Sequence, residues 1–229
     1  MAKLVWDADG SRLYETGTRN GVLYPKNGAN GAYGTGVAWN GLTAVTENPS
    51  GAEETALYAD DIKYLSLYSK EEFGFTIEAY TYPDEWAACD GSSEIATGIL
   101  AAQQSRIAFG LCYRTVLGND AAGEEYGYKL HLIYGAKASP SSKSYATIND
   151  SPEAITFSWE CTTVPVAVDD GEVGVGVKPT SIITIDSTKA DDTKLKALEA
   201  ILYGTDAGSG TQATEPRLPL PNEVIRLMQ

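Results

Sequence analysis

Alternation of apolar and polar residues with a period of two recurs through most of this chain. It is the feature that most limits the fold, because such a pattern gives one apolar face only when the backbone is extended. In Glu72–Tyr82 the residues Phe73, Phe75, Ile77 and Ala79 oppose Glu72, Thr76, Glu78 and Tyr80. Arg106–Leu117 sets Ile107, Phe109, Leu111 and Tyr113 against Arg106, Ala108, Cys112 and Arg114. Tyr126–Tyr134 and Ile155–Cys161 repeat the theme, the latter with Phe157 and Trp159 inward and Ser158 and Glu160 outward. Shorter strands are expected at Lys3–Trp6, Arg12–Thr16, Val37–Val45, Ile62–Leu67, Val164–Val168 and Ser181–Ile185. Gly, Asn, Asp and Pro separate them, so the chain reads as a mainly β sandwich or barrel. Only Asp191–Tyr203 has helical spacing: Leu195, Leu198, Ile201 and Leu202 share a face, acids open the first turn and Gly204 closes the last. Pro83–Ala102 has no clean period and reads as a long excursion with one helical turn, a place where compact domains carry function.

Composition narrows the function. Of 229 residues 43% are hydrophobic, with 14 Tyr and 4 Trp, which is enough apolar surface to offset chain entropy and fold. Lys and Arg number 17 against 31 Asp and Glu, a formal charge of −14, so phosphate is repelled and a tightly held nucleic acid is excluded. The opening MAKLVWDADG lacks an apolar run after a basic segment, and no stretch nears the ~20 apolar residues of a membrane span, so neither a cleaved signal nor membrane insertion is expected. Cys89, Cys112 and Cys161 are far apart, with no C-x-x-C pair, and read as reduced thiols. A single histidine, His131, leaves little for a metal site or a triad. The expectation is a protein without cofactor, metal or catalysis.

Three motifs bear on that expectation. Asp7-Ala8-Asp9-Gly10 has two alternating carboxylates but neither the third ligand nor the bidentate Glu of a calcium loop, so a hairpin turn is the better reading. Gly171, Gly174 and Gly176 resemble a phosphate loop only loosely, since Lys178 is followed by Pro179, and a mobile strand connection fits better. The acidic pairs Glu53–Glu54, Asp60–Asp61 and Glu71–Glu72 could supply a glycosidase's two carboxylates, yet charge runs mostly serve as a solvated surface.

Several strings then acquire a collective meaning. RLYETGTRNGVLYP (Arg12–Pro25), GVAWNGLTAVTENPSGAE (Gly36–Glu53), LYADDIKYLSL (Leu57–Leu67), EEFGFTIEAYTYPDEWAACDGS (Glu71–Ser92), FGLCYRTVLGND (Phe109–Asp120), GYKLHLIYGA (Gly127–Ala136), NDSPEAITFSWE (Asn149–Glu160) and LEAILYGTD (Leu198–Asp206) occur in order along nearly the whole chain. Together they resemble the major tail tube protein of long, non-contractile-tailed phages of Gram-positive bacteria. Asp169–Val177 and Asp206–Thr214 look like insertions against that pattern.

The resemblance implies a β-sandwich or barrel of the tail tube type with one flanking helix at about Asp191–Tyr203 and long loops. Residues 1–205 would form the tube domain. Residues 206–229 would be a flexible linker and a Pro-rich tail that packs on the same or a neighbouring subunit. It also implies hexameric rings stacked into a tube in the virion tail, assembled in the host cytoplasm. The partners would be the protein itself, the tape measure protein, the tail terminator and the tail tip proteins. DNA would pass only transiently, and a lumen built from −14 chains would repel it.

Within that frame Glu72 and Glu78 are expected to face the lumen. Ring-stacking loops are expected at Thr46–Ala59 and Pro83–Gln104 and in the tail, with Asn48, Pro49, Glu53, Glu54, Asp84, Trp86, Leu218 and Leu220 as contacts. Arg106, Cys112 and Arg114 are expected on a strand shared between subunits, because edge pairing satisfies exposed backbone groups. The alternative is a glycan-binding β-sandwich of a tail tip or cell-surface apparatus, with Trp86 beside Asp84 and Glu85 as a sugar platform. A hydrolase built on Glu71 and Glu72 is a third class.

Overall fold

A computed structural model describes residues 3–26, 32–148, 150, 153–207 and 212–229. The strands are β1 (Leu13–Pro25), β2 (Val37–Ala38), β3 (Leu42–Glu47), β4 (Glu54–Ala59), β5 (Ile62–Tyr68), β6 (Gly74–Ala79), β7 (Ser93–Ala96), β8 (Ile99–Ala101), β9 (Phe109–Asn119), β10 (Gly123–Ala138), β11 (Phe157–Thr163) and β12 (Ile182–Asp186). Helix α1 (Trp86–Asp90) follows β6, α2 (Asp192–Tyr203) follows β12, and α3 (Pro221–Met228) ends the chain. The fold is therefore mainly β, as the alternation requires.

Seven strands follow the order β2-β1-β9-β10-β11-β6-β3, and β12 joins the same antiparallel sheet through β10. Strand β10 serves two neighbours on one side. Its Lys129–Ile133 segment pairs with β12, and Ala136–Ala138 pairs with β11. The switch falls at Gly135, which has φ +61° and lies so close to Val164 that a Cβ would sit 2.2 Å from its carbonyl oxygen. Only glycine fits there. The sheet curls until β3 approaches β1, where the Leu42 side chain lies directly over Gly21.

Inside the curl lie Leu23, Phe75, Ile77, Phe109, Leu111, Ile133 and Trp159. One end is sealed by α1, whose Trp86 packs against Trp39 (4.7 Å between centroids), Phe109 (4.9 Å) and Trp159 (5.2 Å). The outer face of β1, β9 and β10 is equally apolar, with Val22, Tyr24, Cys112, Leu130, Leu132 and Tyr134. Helices α2 and α3 cover it through Leu195, Leu198, Leu202 and Val224, and Leu218 fills the gap between them. Helix α2 is capped by Asp191, whose carboxylate accepts the Lys194 N–H at 3.0 Å. Arg114 pins α2 to the sheet, stacked between Tyr128 and Tyr203 and 2.6 Å from Glu199.

Several local expectations change. Val37–Val45 is two strands, because Gly41 at φ +77° breaks the run. Lys3–Trp6 is in no strand, so Asp7–Gly10 makes a turn, with Ser11 N–H on the Ala8 carbonyl, rather than closing a hairpin. Val164–Val168 contributes a single bridge, Val166 to Thr180. The Pro-rich tail adds a second flanking helix, α3, with Pro221 in its first turn, where a missing N–H costs nothing. Its Arg226 reaches Asp170 (2.7 Å) and Glu172 (2.9 Å) in the Gly-Val loop. The Val173 and Glu172 N–H groups, with Asn222 and Arg226, hold the Asp170 carboxyl at about 2. Much of the Gly-rich loop Pro25–Gly36 and of the linker Asp206–Thr214, namely residues 27–31 and 208–211, lies outside the described residues. No described helix is long and apolar enough to cross a membrane.

Candidate assembly surfaces

Strands β4 and β5 form a two-stranded hairpin separate from the main sheet. It rises from the end of β3 and returns to β6 through the Ser50–Glu72 bridge. Its turn is Asp60–Asp61, with φ +49° and +63°, the left-handed pair that a tight hairpin turn demands. The hairpin has two unlike faces. Lys63 and Ser66 both donate to the Glu54 carboxylate, which places these three on one face. On the other, Leu57 pairs with Leu65 and Thr55 with Leu67, and Ala59–Ile62 extends the row to the turn. Leu57, Leu65, Leu67 and Ile62 keep 40, 48, 51 and 66% of their surface exposed, so none of the described residues covers this face. A lone two-stranded hairpin is marginal in water, and a contiguous bare aliphatic face marks a contact surface.

The opposite end of the curled sheet also carries bare apolar side chains. There α1 leads into the hairpin β7–β8, whose Ile95, Ile99 and Leu100 are exposed, and Tyr145 and Ile148 project from the segment after β10. The register fixes this polarity. Strand β3 ends at Glu47 opposite Phe75, so β4–β5 leaves from the Gly74 end of β6, whereas α1 and β7–β8 follow Ala79 at the other end.

Near the root of β4–β5 a polar cluster surrounds the buried His131. His131 stacks on Tyr113 with the rings 4° from parallel and 4.6 Å apart. Its Nε2 is 2.9 Å from Thr115 Oγ1 and its Nδ1 3.3 Å from Thr184 Oγ1. Glu15 and Glu47 stand 3.8 and 3.9 Å from the two ring nitrogens. The Thr115 hydroxyl donates to Glu15, so it must accept from Nε2–H, and Nδ1 is the position that would take up a proton. Burial lowers the His131 pKa, and the Glu47 and Glu15 charges oppose that only in part. Burial also works against the Glu15 carboxylate, but the Lys129 and Thr115 hydrogen bonds outweigh it and hold the group below its usual range. Burial followed by Glu47 raises Tyr113. The cluster spans β1, β3, β9, β10 and β12 and ties the hairpin root to the sheet.

Compared with known proteins, the chain matches no family model and no curated sequence.

The anticipated contact residues scatter. Asn48, Pro49, Glu53 and Glu54 do lie at or beside the β4–β5 root, all exposed, with Asn48 Nδ2 bonded to Thr76 Oγ1 at 2.9 Å. Thr46 and Glu47, however, belong to β3, and residues 54–59 are strand rather than loop. Asp84 is exposed beside α1. Trp86 is a correction: it is fully buried in the aromatic core and can be neither a stacking contact nor a sugar platform. Leu218 is likewise corrected, since it is buried under α2 and α3 and packs close over Gly110, while Leu220 stays half-exposed. Cys112 and Arg114 cannot sit on a strand shared between subunits, because β9 is hydrogen-bonded to β1 on one side and β10 on the other. Arg106 precedes β9 and is in no strand. Glu78 lies on the outer face of β6 and Glu72 on the ladder below it. All three cysteines are free and buried, and burial pushes the Cys89 and Cys112 thiols up to about 12. Leu57 falls within the expected stacking segment Thr46–Ala59, whereas Leu65 and Leu67 are expected only as strand, not as surface. Their signal was present, since Asp-Asp between two alternating runs is turn chemistry.

Proposed function

We propose that this chain is a self-assembling structural subunit of a phage tail tube, without catalysis, whose six-fold rings stack into a hollow tube. The observation that carries the reading is the bare leucine face of β4–β5 on a chain whose two cores are complete without it. A second set of bare apolar side chains at the other end of the sheet makes the contact heterologous: the top of one copy meets the bottom of the next, which builds an open polymer rather than a closed pair. Each copy brings a charge of −14, so a channel through the assembly repels the DNA backbone and lets a genome pass without sticking. In this role the tube encloses the tape measure protein and meets terminator and tip proteins at its ends. It is made in the host cytoplasm and resides in the virion tail.

Negative-stain microscopy of the purified protein over a concentration series, with solution mass alongside, tests the reading. Six-fold rings or channelled tubes are expected. Particles that remain monomeric at every concentration up to the solubility limit overturn it.

A further inference from the structure

Arg106 is at odds with its surroundings. Acids outnumber bases 31 to 17 in this chain, yet the guanidinium forms no ion pair among the described residues, and its buried Nε has no hydrogen-bond partner. The side chain lies across Gly91, where a Cβ would come within 3.0 Å of Cγ and Cζ, so glycine allows the guanidinium to rest on the backbone. It lines an open cleft of about 710 Å3 with Gln104, Pro140, Ser141, Lys143 and Tyr145. Lys143 is neutralised there by Asp90 at 2.6 Å, so the charge of Arg106 is the uncompensated one. The neighbouring cleft, on the β7–β8 side, carries Asp84, Glu85 and Glu94 and would repel an anion.

The matching half lies at the other end of the molecule. Asp60 and Asp61 occupy the tip of β4–β5, are exposed, and make no hydrogen bond or ion pair with described residues. Exposed Tyr58 and Ile62 flank them, as exposed Tyr145 flanks the Arg106 cleft. A carboxylate pair on a projecting turn and an unpaired guanidinium in a cleft are complementary, and charge-assisted contacts of this kind are the strong, directional ones.

We propose that the Asp60–Asp61 turn of one copy docks in the Arg106 cleft of a second copy, joining successive rings end to end. The inference rests on the tube reading and adds to it the residues of the axial contact and their polarity. The leucine face then lies along the neighbour's apolar end while the turn fixes the register.

Assembly of the full chain, followed by microscopy and sedimentation, tests it with two variants. Asp60→Asn with Asp61→Gly removes both charges and leaves Asn-Gly, the pair such turns favour, so the hairpin is retained. Arg106→Glu reverses the cleft, with circular dichroism and thermal melting confirming the fold. Each variant is expected to form rings but to raise the concentration needed for tube growth about tenfold or more. Combining Asp60→Lys and Asp61→Lys with Arg106→Glu is expected to restore tubes. Tubes of wild-type length from both variants overturn the docking and leave the tube reading standing. Loss of rings as well as tubes in the turn variant, at unchanged melting temperature, also overturns it, by placing the turn within the ring. A wild-type chain that forms neither rings nor tubes overturns both.

Discussion

Two leucine faces in this protein have opposite fates. On α2, Leu195, Leu198 and Leu202 are buried against Leu130 and Leu132 of the sheet. On β4–β5, Leu57, Leu65 and Leu67 have the same chemistry and no cover. The difference is one of supply. The chain follows β12 with a helix of the right period to lie over its own strands, but none of the described residues lies over the hairpin. One face is settled within the chain, and the other is left bare by the described residues.

Substitutions can break this comparison. Trp86→Ala removes the aromatic plug shared by Trp39, Phe109 and Trp159, and should cost about 3–5 kcal/mol of stability by chemical denaturation. Leu198→Ala, under full burial, should cost about 2–5 kcal/mol. The double change Leu57→Ser and Leu65→Ser should move the stability of the free subunit by only about 0.5 kcal/mol per site, yet abolish tube growth. Equal stability losses in the two leucine sets would erase the distinction drawn here.

A smaller effect sharpens the same boundary. The His131 pKa is depressed in the folded protein, so the unfolded chain binds that proton first as pH falls through its ordinary value near 6.5. Stability is therefore complete above that value and declines towards acid. The depressed Glu15 adds loss in the same direction at lower pH, as the carboxylate protonates. Melting temperature measured from pH 8 to 5 should fall, and His131→Gln should flatten the slope between pH 7 and 5. An unchanged slope would remove His131 from the account.

Much of the fold was legible in the residues. The alternation of Phe75, Ile77 and Ala79 on β6, and of Phe157 and Trp159 on β11, marked the inward faces, and Asp191 marked the start of α2. What escaped was set by long-range contacts. Strand β9 has two apolar faces, which can equally mean a strand shared between molecules or one enclosed by its own neighbours; β1 and β10 make it the latter. Trp86 stands beside acids in the sequence, but one turn of helix rotates it inward. The tail was expected only as Pro-rich chain, yet its Pro221 starts α3, where a missing N–H costs nothing. For the surfaces, the Asp60–Asp61 pair was visible as charge, and only the register showed that it caps a hairpin pointing away from Arg106.

The switch at Gly135 has a consequence for how the molecule comes apart. Because β10 walks from β12 to β11 across that residue, a single strand is the spine of both the inner aromatic core and the outer helical layer. Neither layer can melt without stripping its own face of β10. The two cores should therefore unfold together in one cooperative transition, and a load applied at one end of the subunit is carried to the other through continuous backbone.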